Sequence, residues 1–118
     1  MTLEERVSWQ RIAYIVESYE LVGTDGETFD AYLAEMISSH AMPIIELAFA
    51  ETILDVWTIV PLPRGVLFLE HANNILQDWS EKGLSSRLTP DDFKQITGLD
   101  PAPIIHALRS PTPQAPVL

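Results

Sequence analysis

The chain has no cysteine, seven basic residues against seventeen acidic ones, and only five glycines. The missing cysteine excludes disulfides, thiolate nucleophiles and cysteine-ligated metals, and it suits a reducing compartment. The glycines fall at apparent helix ends, so there is no glycine-rich phosphate loop. The shortage of positive charge says most. The formal net charge is −10, and no Lys or Arg occurs between Arg11 and Arg64. That interval holds Glu17, Glu20, Asp25, Glu27, Asp30, Glu35, Glu46, Glu51 and Asp55. A field of that sign repels polyphosphate and draws basic proteins or peptides. The longest apolar run, Ile44 to Val60, is broken by Glu46, Glu51 and Asp55, whereas a membrane span needs about 20 apolar residues. The opening MTLEERVSWQRI has Glu4 and Glu5 where a secretory signal carries positive charge. A soluble, cytoplasmic protein with no membrane or nucleic-acid partner is expected.

What is present is apolar material at helical spacing. The 118 residues are 47% hydrophobic, and a domain of this size buries about two-thirds of the surface its unfolded chain exposes. Thr2 is placed to cap a first helix running to about Leu21, with Leu3, Val7, Ile12, Ile15, Val16 and Tyr19 as its apolar positions. After the turn GTDG, Phe29, Tyr32, Leu33, Met36 and Ile37 make one stripe on a second helix. A third, from about Pro43 to Ile59, is apolar on most of its circumference and should be the central one, its acids leaving by a narrow polar strip. Pro61 and Pro63 stop it. A fourth, about Arg64 to Trp79, sets Phe68, Leu69, Ala72, Ile75, Leu76 and Trp79 against Glu70, Asn73, Asn74, Gln77 and Asp78. Trp57 and Trp79 read as core.

The segment LTPDDFKQITGLDPAPIIHAL has the outline of a helix-turn-helix. Thr89 is an N-cap with Pro90 at N1, Asp92 reaches back from N3, and Leu88 and Phe93 form a hydrophobic staple. Gly98 ends that helix, and Asp100 caps a second with Pro101 at N1. From 87 to 110, Arg87, Lys94 and Arg109 cancel against Asp91, Asp92 and Asp100, so the phosphate neutralisation that DNA binding needs is missing. The expected fold is all-α: one small bundle of four main helices plus a C-terminal pair of short ones. Residues 1–108 form this helical domain, and 109–118 a proline-rich flexible tail.

Reaction chemistry finds little to work with. A di-iron bundle needs Glu-x-x-His on two helices, yet Glu17 and Glu20 have no matching histidine, His40 lies in a turn, and His71 adjoins Glu70. There is no G-x-S-x-G elbow, and nothing matches a serine with His106 or any other histidine. No catalytic residue, metal or cofactor is expected.

The segments WTIVPLPRGVLFLEHANNILQDW and LTPDDFKQITGLDPAPI, through P-x-P-x-G and ITGLDP, resemble the CcmS-like family of short, acidic, helical cyanobacterial proteins. That resemblance implies an accessory protein that binds a shell-protein segment during carboxysome assembly, and hence a carboxysome-associated location. From the residues themselves the expected function is a non-enzymatic adaptor or assembly factor. It binds a peptide segment or basic surface of another protein. The alternative is an accessory transcription factor with a degenerate helix-turn-helix. Candidate partner-binding residues are Trp9, off the main stripe of its helix; the carboxylates Glu46, Glu51 and Asp55; and the proline corner Pro63, Arg64, Val66 and Leu67, whose apolar residues exceed what an inward face needs.

Overall fold

A helix that is apolar nearly all round finds its lowest free energy when other helices cover every side of it, and this chain is arranged accordingly. The computed structural model describes residues 2–57, 63–86 and 88–109, with the backbone alone for 4 and 106–109. Six helices follow one another: α1 (Leu3–Ser18), α2 (Gly26–Ser39), α3 (Met42–Val56), α4 (Val66–Lys82), α5 (Pro90–Thr97) and α6 (Ala102–Arg109). Among the described residues there is no strand, so the fold is an all-α bundle of four longer helices and a short pair. All five other helices pack on α3, and α4 also packs on α2. From Ile45 to Ile53 every residue of α3 is buried. Phe49 meets Phe68 of α4 edge-on, ring centroids 5.3 Å apart. The Thr52 hydroxyl, fully buried, donates to the Ala48 carbonyl at 2.7 Å and so is not left unpaired.

The caps follow the sequence closely. Thr2 and Glu5 close a capping box on α1, Asp25 accepts from the Thr28 N–H on α2, and Thr89 and Asp92 close a second box on α5. Leu88 and Phe93 are both buried, as a staple requires, and Gly98 is left-handed at φ +77°. The last helix starts one residue later than expected. The Asp100 carboxylate accepts the Ala102 N–H at 3.0 Å and the Pro101 carbonyl accepts from Ile105, so Pro101 precedes the first turn rather than opening it.

Other boundaries shift for tertiary reasons. α1 stops at Ser18 because Glu20 turns left-handed, at φ +52°, and brings Leu21 into the core. The Gly65 N–H donates to the Leu21 carbonyl at 2.6 Å, which delays the start of α4 to Val66. At that crossing the two backbones nearly touch: a Cβ on Gly23 would lie 3.2 Å from the Gly65 Cα. Leu3 and Val7, expected on the core stripe, are 75% and 48% exposed; Glu5 and Arg6 beside them are exposed too, so burial of α1 begins only further along, with Ile12 its first buried residue. Of the expected extension of α3 to Ile59, Trp57 is its C-cap and the rest lies outside the described residues. The tail expected over 109–118 starts one residue late, since Arg109 closes α6, and 110–118 lie outside the described residues.

Two stability measurements check this arrangement. Phe49→Ala should cost about 3–5 kcal/mol by removing a ring surrounded on all sides. Thr89→Ala should cost about 1 kcal/mol, the worth of one N-cap. Urea unfolding followed by circular dichroism reads both.

Candidate functional site

Three carboxylates lie on the central helix, and each meets a different fate. Glu46 is completely buried, with Arg11 of α1 opposite it. The Arg11 Nε donates to both Glu46 oxygens, at 3.0 and 3.1 Å, and its Nη2 lies 2.9 Å from Oε1. The same Nη2 donates to the Asp100 carbonyl at 2.7 Å. Glu46 is therefore occupied within the fold, and its expected place on a binding rim is corrected. Burial pushes its carboxyl above the ordinary range, and the Arg11 bonds and charge only partly offset that.

Glu51 is also buried, at 7% exposure, and accepts from the Ser86 hydroxyl at 2.8 Å. Ser86 Oγ in turn accepts the Leu88 N–H at 3.1 Å, so this carboxylate anchors the approach to α5. Its expected exposed position is likewise corrected, although its edge still borders a surface recess. Asp55 alone of the three reaches the surface, where its Oδ2 lies 3.2 Å from the His71 Nε2 of α4. Helical periodicity places Glu46 and Asp55 on opposite sides of α3. α1 with Trp9 thus flanks one side and α4 the other, and the structure does not bring Trp9 to the Asp55 region.

What it does bring together is a seam between α3 and α4. Glu51, His71, Asn74, Ile75, Asp78, Trp79 and Ser85 line a shallow recess of about 430 Å³ there. Ile75 and Trp79 are its apolar part and Glu51 and Asp78 its acidic part. Asp78 also pairs with Lys82 at 3.0 Å across one turn of α4. The Asp55–His71 contact sets the end of α3 beside the start of α4; Leu67, 68% exposed, lies one turn before His71 on the same edge of α4, and Leu54, 45% exposed, precedes Asp55, whereas Trp57, 64% exposed, falls on the α1 side of α3. Pro63 and Val66 are half-buried and Arg64 is exposed. The expected surplus at the proline corner is therefore real at Leu67 and partial at Val66.

Trp57 corrects another expectation. It is at the C-cap of α3, beyond the span that neighbouring helices cover, and its ring meets Tyr19 only edge-on, with centroids 6.4 Å apart. Trp79 is core as expected, at 7% exposure. In the sequence His71 stands out only as a metal ligand and Asn74 only as part of a polar face, and Ser85 is not expected at a site. Only the i, i+4, i+7 and i+11 spacing of Leu67, His71, Asn74 and Asp78 could have placed them along one edge of α4.

Chemically, the seam offers contact surface with negative charge. Among the described residues no three His, Asp or Glu side chains converge to hold a metal ion, and no hydroxyl bonds the His71 ring. No described helix is long and apolar enough to cross a membrane.

The Arg11–Glu46 pair yields two predictions. Arg11→Met leaves a buried carboxylate without its counter-charge and should cost about 3–5 kcal/mol, most of it recovered in Arg11→Met/Glu46→Leu. The second concerns pH. With its folded-state pKa above the ordinary 4.5, Glu46 contributes stability that is full below pH 4.5 and is lost as pH rises through the folded value. Glu5 and Asp25, lowered chiefly by hydrogen bonds from Thr2 and Thr28, run the other way and lose their contribution at lower pH. The stability difference between wild type and Glu46→Gln, from urea titrations at stepped pH, should therefore fall from pH 4.5 upward. No family model matches this chain, and no curated protein or solved structure does.

Proposed function

We propose that this chain is a non-enzymatic adaptor or assembly factor that binds a basic segment of another protein along the α3–α4 seam. The observation that carries this is the exposure of Leu54 and Leu67, next to Asp55 and one turn before His71, at the end of a recess edged by carboxylates. Large apolar side chains gain nothing from water, and a partner that covers them supplies affinity at about 25 cal/mol per Å² of apolar surface buried, less the cost of association. Asp55 and Asp78 supply the charge that steers a cationic segment and turns away acidic competitors. The resemblance to CcmS-like proteins makes a carboxysome shell-protein segment the specific partner to test first.

The accessory transcription-factor alternative draws on α5 and α6, which keep the helix-turn-helix outline around Gly98. Both helices pack on α3, and the charges of this segment cancel, so the pair supports it less well than the seam supports an adaptor.

Affinity capture from the host at low salt separates the two. Wild-type chain should retain a protein partner that Leu54→Asp and Leu67→Asp lose, while passing through DNA-cellulose at about 50 mM salt. Equal recovery by wild type and both variants would remove the seam from consideration. Retention on DNA would favour the alternative.

A further inference from the structure

The hairpin of α5 and α6 is attached to the bundle differently from the other helices. α1 to α4 pack among themselves, whereas α5 and α6 pack on α3 and on each other. Each has eight residues, and isolated helices shorter than about 12 residues are marginal in water, so neither persists alone. Among the described side chains, Leu88, Phe93 and Ile104 are the hairpin's buried apolar share, and most of the core lies in α1 to α4. Side chains of α1 hold its turn in running order. The Arg11 Nη2 donates to the Asp100 carbonyl, the Tyr14 hydroxyl lies against Gly98, and the Tyr19 hydroxyl donates to the Ile96 carbonyl. At the opposite edge Glu51 accepts from Ser86, ahead of α5. The chain leaves α4 through Gly83, at φ +98° with open space where a side chain would start.

What the hairpin covers follows from the periodicity of α3. Glu46 marks the edge that meets α1 and Glu51 the edge that meets Ser86. Leu47, Ala50 and Leu54 fall in the arc between them. Leu47 and Ala50 are buried, while Leu54, one turn further on, is 45% exposed. The apolar stripe therefore continues past the hairpin, and its visible end is a leucine of the seam. We propose that α5 and α6 open together as one lid, pivoting on the connector after Gly83 while α1 to α4 stay packed. The three α1 contacts release together because they hold residues within one turn. Opening uncovers Leu47 and Ala50 in line with Leu54. It thus lengthens the apolar surface at the seam, a consequence that rests on the adaptor reading. The opening itself does not rest on it and is measured on the free chain. Contiguous units of this kind open at a lower free energy than global unfolding.

Native-state hydrogen exchange of the full chain, followed by NMR, tests this. The Phe93, Gly98 and Ile105 N–H groups, bonded to the Thr89, Lys94 and Pro101 carbonyls, should exchange through one common opening. That exchange should be about tenfold or more faster than at Ile53 and Leu76. Tyr19→Phe keeps the ring beside Trp57 and removes the bond to Ile96. It should speed exchange about fivefold, by the same factor in α6 as in α5 although the bond is made to α5 alone. Leu33→Val in α2, whose contacts survive the opening, should speed exchange at Ile53 and Leu76 and leave the hairpin unchanged. A thiol gives a second reading, since the chain has no cysteine of its own. Ala50→Cys, under the hairpin, should be labelled about tenfold faster than Ala48→Cys, equally buried on the other side of α3. Hairpin amides that exchange no faster than Ile53 and Leu76 would overturn the proposal. So would a Tyr19→Phe effect confined to α5, a Leu33→Val effect that includes the hairpin, or equal labelling of the two thiols.

Discussion

Glu46 puts a fully buried carboxylate on a helix that other helices enclose, and that one fact constrains much of the bundle. An ionised group there must have a counter-charge and hydrogen bonds, because the cost of desolvation is several kcal/mol for each ion. Only a side chain that is long, always charged and able to donate in several directions meets the need. Arg11 does so, with Nε and Nη2 on the carboxylate and Nη2 also on the Asp100 carbonyl. The guanidinium thus fixes three elements relative to one another: α1 by its own attachment, α3 through Glu46, and the α5–α6 turn through Asp100. A pair of this kind adds little net stability over an apolar equivalent. What it gives this bundle is register, since sliding α1 by one turn on α3 would separate the charges in a place that water does not reach.

A second constraint acts at the other end of α1. The Gly65 N–H reaches the Leu21 carbonyl, and a side chain on Gly23 would press to within 3.2 Å of the Gly65 backbone. Both glycines are at positive φ, which side chains resist. The contact ties the entry of α4 to the exit of α1 and thereby sets where Pro63, Arg64 and Leu67 emerge. Tyr19 adds a third tie by donating its hydroxyl to the Ile96 carbonyl of α5. The proline corner is therefore held from behind, and its exposed leucine is presented on a fixed support.

These ties explain which parts of the molecule were legible in the sequence. Caps are local: Thr89 and Asp92, or Thr2 and Glu5, meet within one turn, so spacing alone places them. The central role of α3 was equally legible, because an all-round apolar helix has few other places to go. Periodicity, however, tells which face is apolar and not whether a neighbour covers it. Leu3 and Val7 continue the pattern of α1 past the point where it begins to be buried, and Trp57 continues that of α3 past its last neighbour. The Arg11–Glu46 and Glu51–Ser86 contacts each join residues 35 positions apart. Nothing in the local pattern marks such pairs, so both glutamates read as surface acids.

That correction alters the electrostatics of the seam. With Glu46 paired inside and Glu51 bonded to Ser86, α3 presents Asp55 as its one carboxylate out of three that is exposed, and Asp55 is already in contact with His71. On the α4 side the outward field there comes from Asp78, which shares its charge with Lys82. Exposed charges of this kind are screened within about 8 Å at physiological ionic strength. They speed encounter and select the sign of a partner, but they hold it weakly. In the adaptor role proposed above, retention at this surface would fall to Leu54 and Leu67, whose contacts salt does not screen. A segment that matches them needs apolar anchors toward the end of α3 and cations toward Asp78. A uniformly basic peptide meets only half of that requirement.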